Sequence, residues 1–229
     1  MITEPRNQSL SWRASRLGTW LIPIGALLMG LVFTYFLTSP DSGSDPVGAA
    51  EFRTGAVGYS LGIVYILATI ALLLGLVALY ACLSHGPAGG WALAALVLGV
   101  TSLGLLLAAD GVFILATASV GVLLLDGNAA AGDVLARMTG GDFNWPVLVA
   151  FLAAVALALA AGIAYAVAIW RSSLFPKWTA ILLCIGLLFL TTSTPLIGQL
   201  GSLLLVVAGV VIARTIGQTS VAVDPAQAR

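Results

Sequence analysis

Apolar residues gather in runs at 18–38, 57–83, 91–125, 147–170, 178–194 and 196–213, separated by polar connections that carry Gly and Pro. A helix needs about 20 predominantly apolar residues to cross a bilayer, and these runs approach or exceed that length. In lipid a helix satisfies its own backbone, which water cannot reach. The pattern therefore predicts an all-α integral membrane bundle of six transmembrane helices. The first run follows Arg6, Arg13 and Arg16, as the apolar part of a signal peptide would. Its apolar core is about 20 residues, longer than the roughly 7–15 of a cleaved signal, so it reads as a retained first helix. The organisation expected is a cytoplasmic segment at 1–17, the membrane domain at 18–214 and a cytoplasmic tail at 215–229.

Composition supports this reading. The chain is 60% hydrophobic and 8% charged, with a mean hydropathy of +1.10, whereas soluble domains carry roughly 25% charged residues. The net charge is zero, so no basic face awaits nucleic acid. The bilayer is the expected partner, with other membrane proteins next. Cys82, Cys184 and the single histidine, His85, do not make a metal-ligand pattern. Each cysteine reads as a small packing residue. No cofactor, metal or catalytic residue is expected.

Loop charges orient the bundle. If the 91–125 run crosses once, Arg6, Arg13, Arg16, Arg171, Lys177, Arg214 and Arg229 share one side, and only Arg53 and Arg137 lie opposite. The positive-inside rule makes the first side cytoplasmic and places both termini there. Two crossings in that run would divide the same charges almost evenly, so one crossing is expected. The location implied is a membrane whose cytoplasmic face holds both termini. Trp20, Trp91, Trp145, Trp170 and Trp178 fall at the predicted helix ends, where an amphipathic ring belongs.

Within "LLLAADGVFILA", at 105–116, Asp110 is the single charge of the 91–125 run. It marks either a turn or a polar group that the membrane domain uses. At 1.5 Å per residue it lies roughly 28 Å from Trp91, close to the outer interface of a core about 30 Å thick. Water, Arg53 or Arg137 would satisfy it there. An ionisable residue inside a span is otherwise a candidate functional site. The remaining stretch, 111–125, is short for a second crossing. It projects outward, lies along the interface or re-enters.

Other motifs read structurally. "GYSLG" at 58–62 matches a hydrolase G-x-S-x-G, but His85 is about 37 Å further along the same helix, so Ser60 is expected to pack or to bond back to its own helix. "DSGSDP" at 41–46 reads as a solvated turn, lacking the ligand pattern of a calcium loop. "AAAGDVLARM" predicts a short interfacial helix within 126–144, with Asp133 and Arg137 paired at i,i+4. The fourth run carries Ala150, Ala154, Ala158, Gly162 and Ala166 on one line, and Ala156, Ala160, Ala164 and Ala168 on the next. Small residues allow close helix approach, so this helix is expected at the centre. In "TTSTP", at 191–195, Thr191, Thr192, Ser193 and Thr194 cap helix ends or line a vestibule, capping being the plainer role. Gln199 does similar work. Together with Asp110 these form the candidate polar site.

The segment "AYAVAIWRSSLFPKWTAILLCIGLLFL" resembles the bacterial multi-pass family catalogued as domain of unknown function 4386. Arg171, Ser172, Pro176, Lys177 and Trp178 occupy the positions of that family's helix-ending loop. "ALYACLSHGPAGGWALAALVLGV" is a weaker second match. The resemblance implies six spans with the longer loops outside, and no activity. "GVTSLG" at 99–104 stands where that family carries charges. The first functional expectation is a non-enzymatic accessory, sensor or structural membrane component. The second is a small transporter or channel, with a cavity between the third, fourth and sixth helices. An intramembrane enzyme comes third. A cavity reaching Asp110 and the 191–194 hydroxyls would favour transport, and a closed bundle the accessory role.

Overall fold

The computed structural model describes residues 15, 17–38, 46–84, 87–140, 145–192 and 194–222. Among them the chain is all-helical, with no strand. In chain order the helices are α1 (Leu21–Thr38), α2 (Pro46–Thr54), α3 (Ala56–Leu83), α4 (Gly89–Leu125), α5 (Ala129–Gly140), α6 (Trp145–Ser172), α7 (Lys177–Leu190) and α8 (Pro195–Ala222). Five are long and apolar enough to cross a membrane, the first counted from Leu17. The sixth apolar helix, α7, has 14 residues and stops at Leu190, not at the expected 194. α8 runs on to Ala222, so the expected tail begins as helix.

The outside of the bundle is built for lipid. Leu27, Leu31, Leu67, Leu74, Val97, Leu152, Ile163, Ile181 and Leu203 are exposed, while Ala26, Ala68, Ala95, Ala158, Ala161, Ala168 and Ala208 are buried. Contiguous apolar surface on this scale suits an apolar environment rather than water. Small residues inside let the helices meet backbone to backbone. Gly25 and Gly75 show how closely. A Cβ at Gly25 would stand 2.7 Å from the Ala68 carbonyl oxygen, and one at Gly75 2.7 Å from the Ile22 nitrogen. These two glycines hold α1 against α3.

The long helices form a closed ring: α1 touches α3, then α4, α6, α7 and α8 follow, and α8 returns to α1. This corrects the expectation for the Ala-rich fourth run. α6 is one member of the ring, between α4 and α7, rather than its centre. Its first small-residue line is packed, with Ala154, Ala158 and Gly162 buried, while the second holds only Ala164 and Ala168 inside. Ser102 of α4 donates to the Ala154 carbonyl at 2.7 Å. Tyr165 of α6 reaches across to donate to the Leu76 carbonyl of α3 at 3.1 Å.

α4 decides what Asp110 is not. The helix is continuous from Gly89 to Leu125, 37 residues and about 55 Å, so Asp110 is no turn. The 111–125 stretch does not re-enter. It continues past Asp110 beside α2, where Gly121 faces Ala50 and Thr54. α2 itself lies in a stretch read from the sequence as a polar connection. It opens on Pro46, a residue suited to a helix's first turn. Residues 41–45 of the predicted turn lie outside the described residues. The expected short helix within 126–144 is α5. Gly127, at φ 91°, turns the chain where an L side chain would be strained, and Asn128 Oδ1 accepts the Ala130 N–H at 3.2 Å. Asp133 and Arg137 are both exposed, so any pairing between them would be weak.

Four tryptophans, Trp20, Trp91, Trp170 and Trp178, are 38%, 42%, 52% and 48% exposed and belong to the ends where α1, α4 and α7 begin and α6 finishes. The Arg171 guanidinium lies 5.9 Å from the Trp91 ring centroid. Trp170 Nε1 donates to the Lys177 carbonyl at 3.1 Å. In the loop between them Ser173 has φ 50°, a left-handed conformation costly for a residue with a Cβ. Ser173→Gly should therefore raise stability by about 1 kcal/mol, read as a higher thermal midpoint of the purified chain. An unchanged or lower midpoint would contradict the strain.

Candidate binding cavity

At the other end of the ring the helices part around a cavity of about 600 Å³. Phe33 and Phe36 of α1, Phe52 of α2, Tyr65 of α3, and Phe151 of α6 supply aromatic wall. Among the described residues Asp110 is the only charged one lining it, and Thr117, Thr191 and Thr192 are the lining hydroxyl residues besides Tyr65. Gly58 and Gly62, one helical turn apart on α3, face the same space. Phe52 stacks on Tyr35 with centroids 5.9 Å apart and meets Phe36 edge-on at 6.0 Å. These rings tie α2, which packs chiefly along α4, to the end of α1, and Phe52 closes part of the cavity.

Asp110 is half-buried, and Tyr65 donates its hydroxyl to Asp110 Oδ2 at 2.5 Å. Among the described residues this is its hydrogen-bond partner. Arg137 is exposed on α5, and the Arg53 side chain lies outside the described residues. A signal for Tyr65 did exist in the sequence. α3 and α4 are antiparallel neighbours, and Tyr65 and Asp110 each lie about 20 residues from the turn that joins them, hence at the same level. A hydroxyl-bearing residue at that level on α3 was the natural partner.

The candidate polar residues separate into two groups. Thr191 donates to the Leu188 carbonyl at 2.8 Å, and Thr192 to the Phe189 carbonyl at 2.7 Å. Both satisfy the open end of α7, and both also line the cavity that holds Asp110. Capping and lining are thus combined in the same side chains. Thr194 and Gln199 are elsewhere. Thr194 is exposed, with its carbonyl accepting the Gly198 N–H at 2.9 Å. Gln199 Nε2 donates to Thr34 Oγ1 at 2.9 Å, tying α8 to α1. Ser193 lies outside the described residues. The cavity overlaps the site expected between the third, fourth and sixth helices, since α4 and α6 both line it, but it reaches further. α1 and α3 contribute much of its wall, and α8 only Pro195.

The remaining polar groups are structural. Ser60 donates to the Ala56 carbonyl at 2.6 Å, bonding back within α3. His85 lies outside the described residues. Cys82 is buried, and Cys184 backs onto Gly162, where a Cβ would stand 3.0 Å from the sulfur. Among the described residues no group of three or more His, Cys, Asp or Glu side chains could hold a metal. No family model, curated protein or solved structure matches this chain.

Proposed function

We propose that the chain is a multi-pass protein of the bacterial cytoplasmic membrane that binds a small molecule in the outer half of the bilayer, as a small transporter does. One observation carries the reading: the cavity that brings Asp110, Tyr65, Thr191 and Thr192 together. A purely structural or accessory bundle has no use for a carboxylate facing such a space. The likeness to the domain of unknown function 4386 rests on the loop of Arg171, Ser172, Pro176, Lys177 and Trp178, and assigns no substrate.

The topology proposed is six crossings with both termini cytoplasmic. Neighbours in the ring then run antiparallel throughout, α8 and α1 included. With 14 residues, α7 spans about 21 Å, less than the about 30 Å of the hydrocarbon core. Its outer end stops inside the membrane. Irregular backbone at that depth is tolerated where it lines a cavity, and Thr191 and Thr192 meet that condition.

Two experiments test this. In a background lacking Cys82 and Cys184, cysteines at Ser44 and Asn128 should react with an impermeant thiol reagent on intact cells, and one at Ser173 should not. Labelling at Ser173 from outside would overturn the topology. For the cavity, purified protein should enhance the fluorescence of Nile red, a neutral apolar dye. Leu61→Trp, which places an indole in the cavity wall, should abolish the enhancement while the protein still elutes as a single symmetric peak. Undiminished binding by that variant would place the dye elsewhere.

A further inference from the structure

We propose that the cavity selects an organic ammonium ion, an N–H-bearing cation on an apolar or aromatic frame, with Asp110 as its counter-charge. The inference rests on the cavity reading above and adds the chemistry of the occupant. That chemistry follows from where the cavity's protons already go. Thr191 and Thr192 donate to the Leu188 and Phe189 carbonyls, and Thr117 donates to the Ile114 carbonyl at 3.2 Å. Tyr65 donates to Asp110 Oδ2. A hydroxyl carries one proton and two lone pairs. Thr117 and Thr191 are buried, and with their protons committed the half-buried hydroxyls of Tyr65 and Thr192 offer an occupant acceptor lone pairs. An ionised carboxylate likewise only accepts. A ligand that satisfies such a lining must bring donors.

Charge points the same way. Among the described residues no Lys or Arg lines the cavity, so from them an anion would meet repulsion and no partner. A carboxylate removed from water is stabilised by an opposite charge close by, and here the occupant supplies it. Tyr65 holds one oxygen of Asp110 and leaves the other for the ligand. Phe33, Phe36 and Phe52 bring aromatic rings to the wall, and aromatic rings attract cations. The size of the space, about 600 Å³, and its aromatic walls suit an organic body rather than a bare metal ion, which requires oxygen ligands on several sides.

The test uses the full chain purified in detergent and two fluorescent probes of nearly equal shape. Dansylcadaverine carries a primary ammonium, and its N-acetyl derivative is neutral. Wild type should bind the ammonium probe at least about tenfold more tightly than the neutral one, the ratio a single favourable charge contact of modest strength produces. Asp110→Asn, which can still accept the Tyr65 hydroxyl, should bind both probes alike. Equal affinity of wild type for the two probes would overturn the cation assignment and leave the cavity standing. An ammonium preference that persists in Asp110→Asn would also overturn it. Binding of neither probe would overturn the cavity reading as well. The wild-type comparison decides without any variant, so a misfolded Asp110→Asn protein leaves the proposal exposed to refutation.

Discussion

Tyr165→Ala should lower the stability of the detergent-solubilised protein by about 3 kcal/mol. That is the low end for truncating a buried aromatic residue, because lipid or detergent offers the side chain an alternative as apolar as the core. What remains is lost packing. Tyr165 is fully buried, in a cluster with Leu76, Leu79, Ala95, Ala168 and Leu183, and its removal leaves contacts that no neighbour can replace. Tyr165→Phe keeps the packing and loses only the hydrogen bond to the Leu76 carbonyl, so it should lose about 1 kcal/mol. Reaction of the buried Cys82 with a thiol-reactive dye during heating reports unfolding, best measured in a Cys184→Ala background. Near-equal midpoints for the Ala and Phe variants would show that the hydrogen bond, not packing, dominates.

Gly25→Ala and Gly75→Ala should each lower stability by about 1–3 kcal/mol, the usual range for overpacking. The added methyl in either case meets backbone of the neighbouring helix, and α1 must move away from α3. Because both sit in one interface, the double variant should lose less than the sum of the singles: once the helices separate for one methyl, the second finds room. Gly104 is the control. It lies in a helix, and a Cβ there would meet nothing within 4 Å. Gly104→Ala should be neutral or stabilising, since Ala is the better helix former by about 1 kcal/mol. Full additivity in the double variant, or equal losses at Gly25, Gly75 and Gly104, would refute the close α1–α3 contact. The same thermal assay reads all four proteins.

Much of the membrane domain is legible in the sequence because lipid leaves the backbone few choices. An apolar run with no water to bond must form a helix, so α1, α3, α4 and α6 fall within a few residues of the runs at 18–38, 57–83, 91–125 and 147–170. Asp110 also stood out by sequence alone, as one charge in an apolar run. Other features depended on tertiary contact. α2 hides in the polar stretch after residue 38, because a short helix held by Phe52 against Tyr35 and Phe36 needs no long apolar run. α7 ends at Leu190 because Thr191 and Thr192 turn their hydroxyls back onto its last carbonyls, a choice that an apolar count does not reveal. The order of helices around the ring was equally closed to sequence reading. Both faces of a lipid-bathed helix are apolar, so periodicity does not mark the packed one, and the Ala-rich α6 looked central without being so. Adjacency is set by where small residues let backbones touch, as Gly25 and Gly75 do. That adjacency places Tyr65 on α3 opposite Asp110 on α4, and turns an isolated charge into one wall of a cavity.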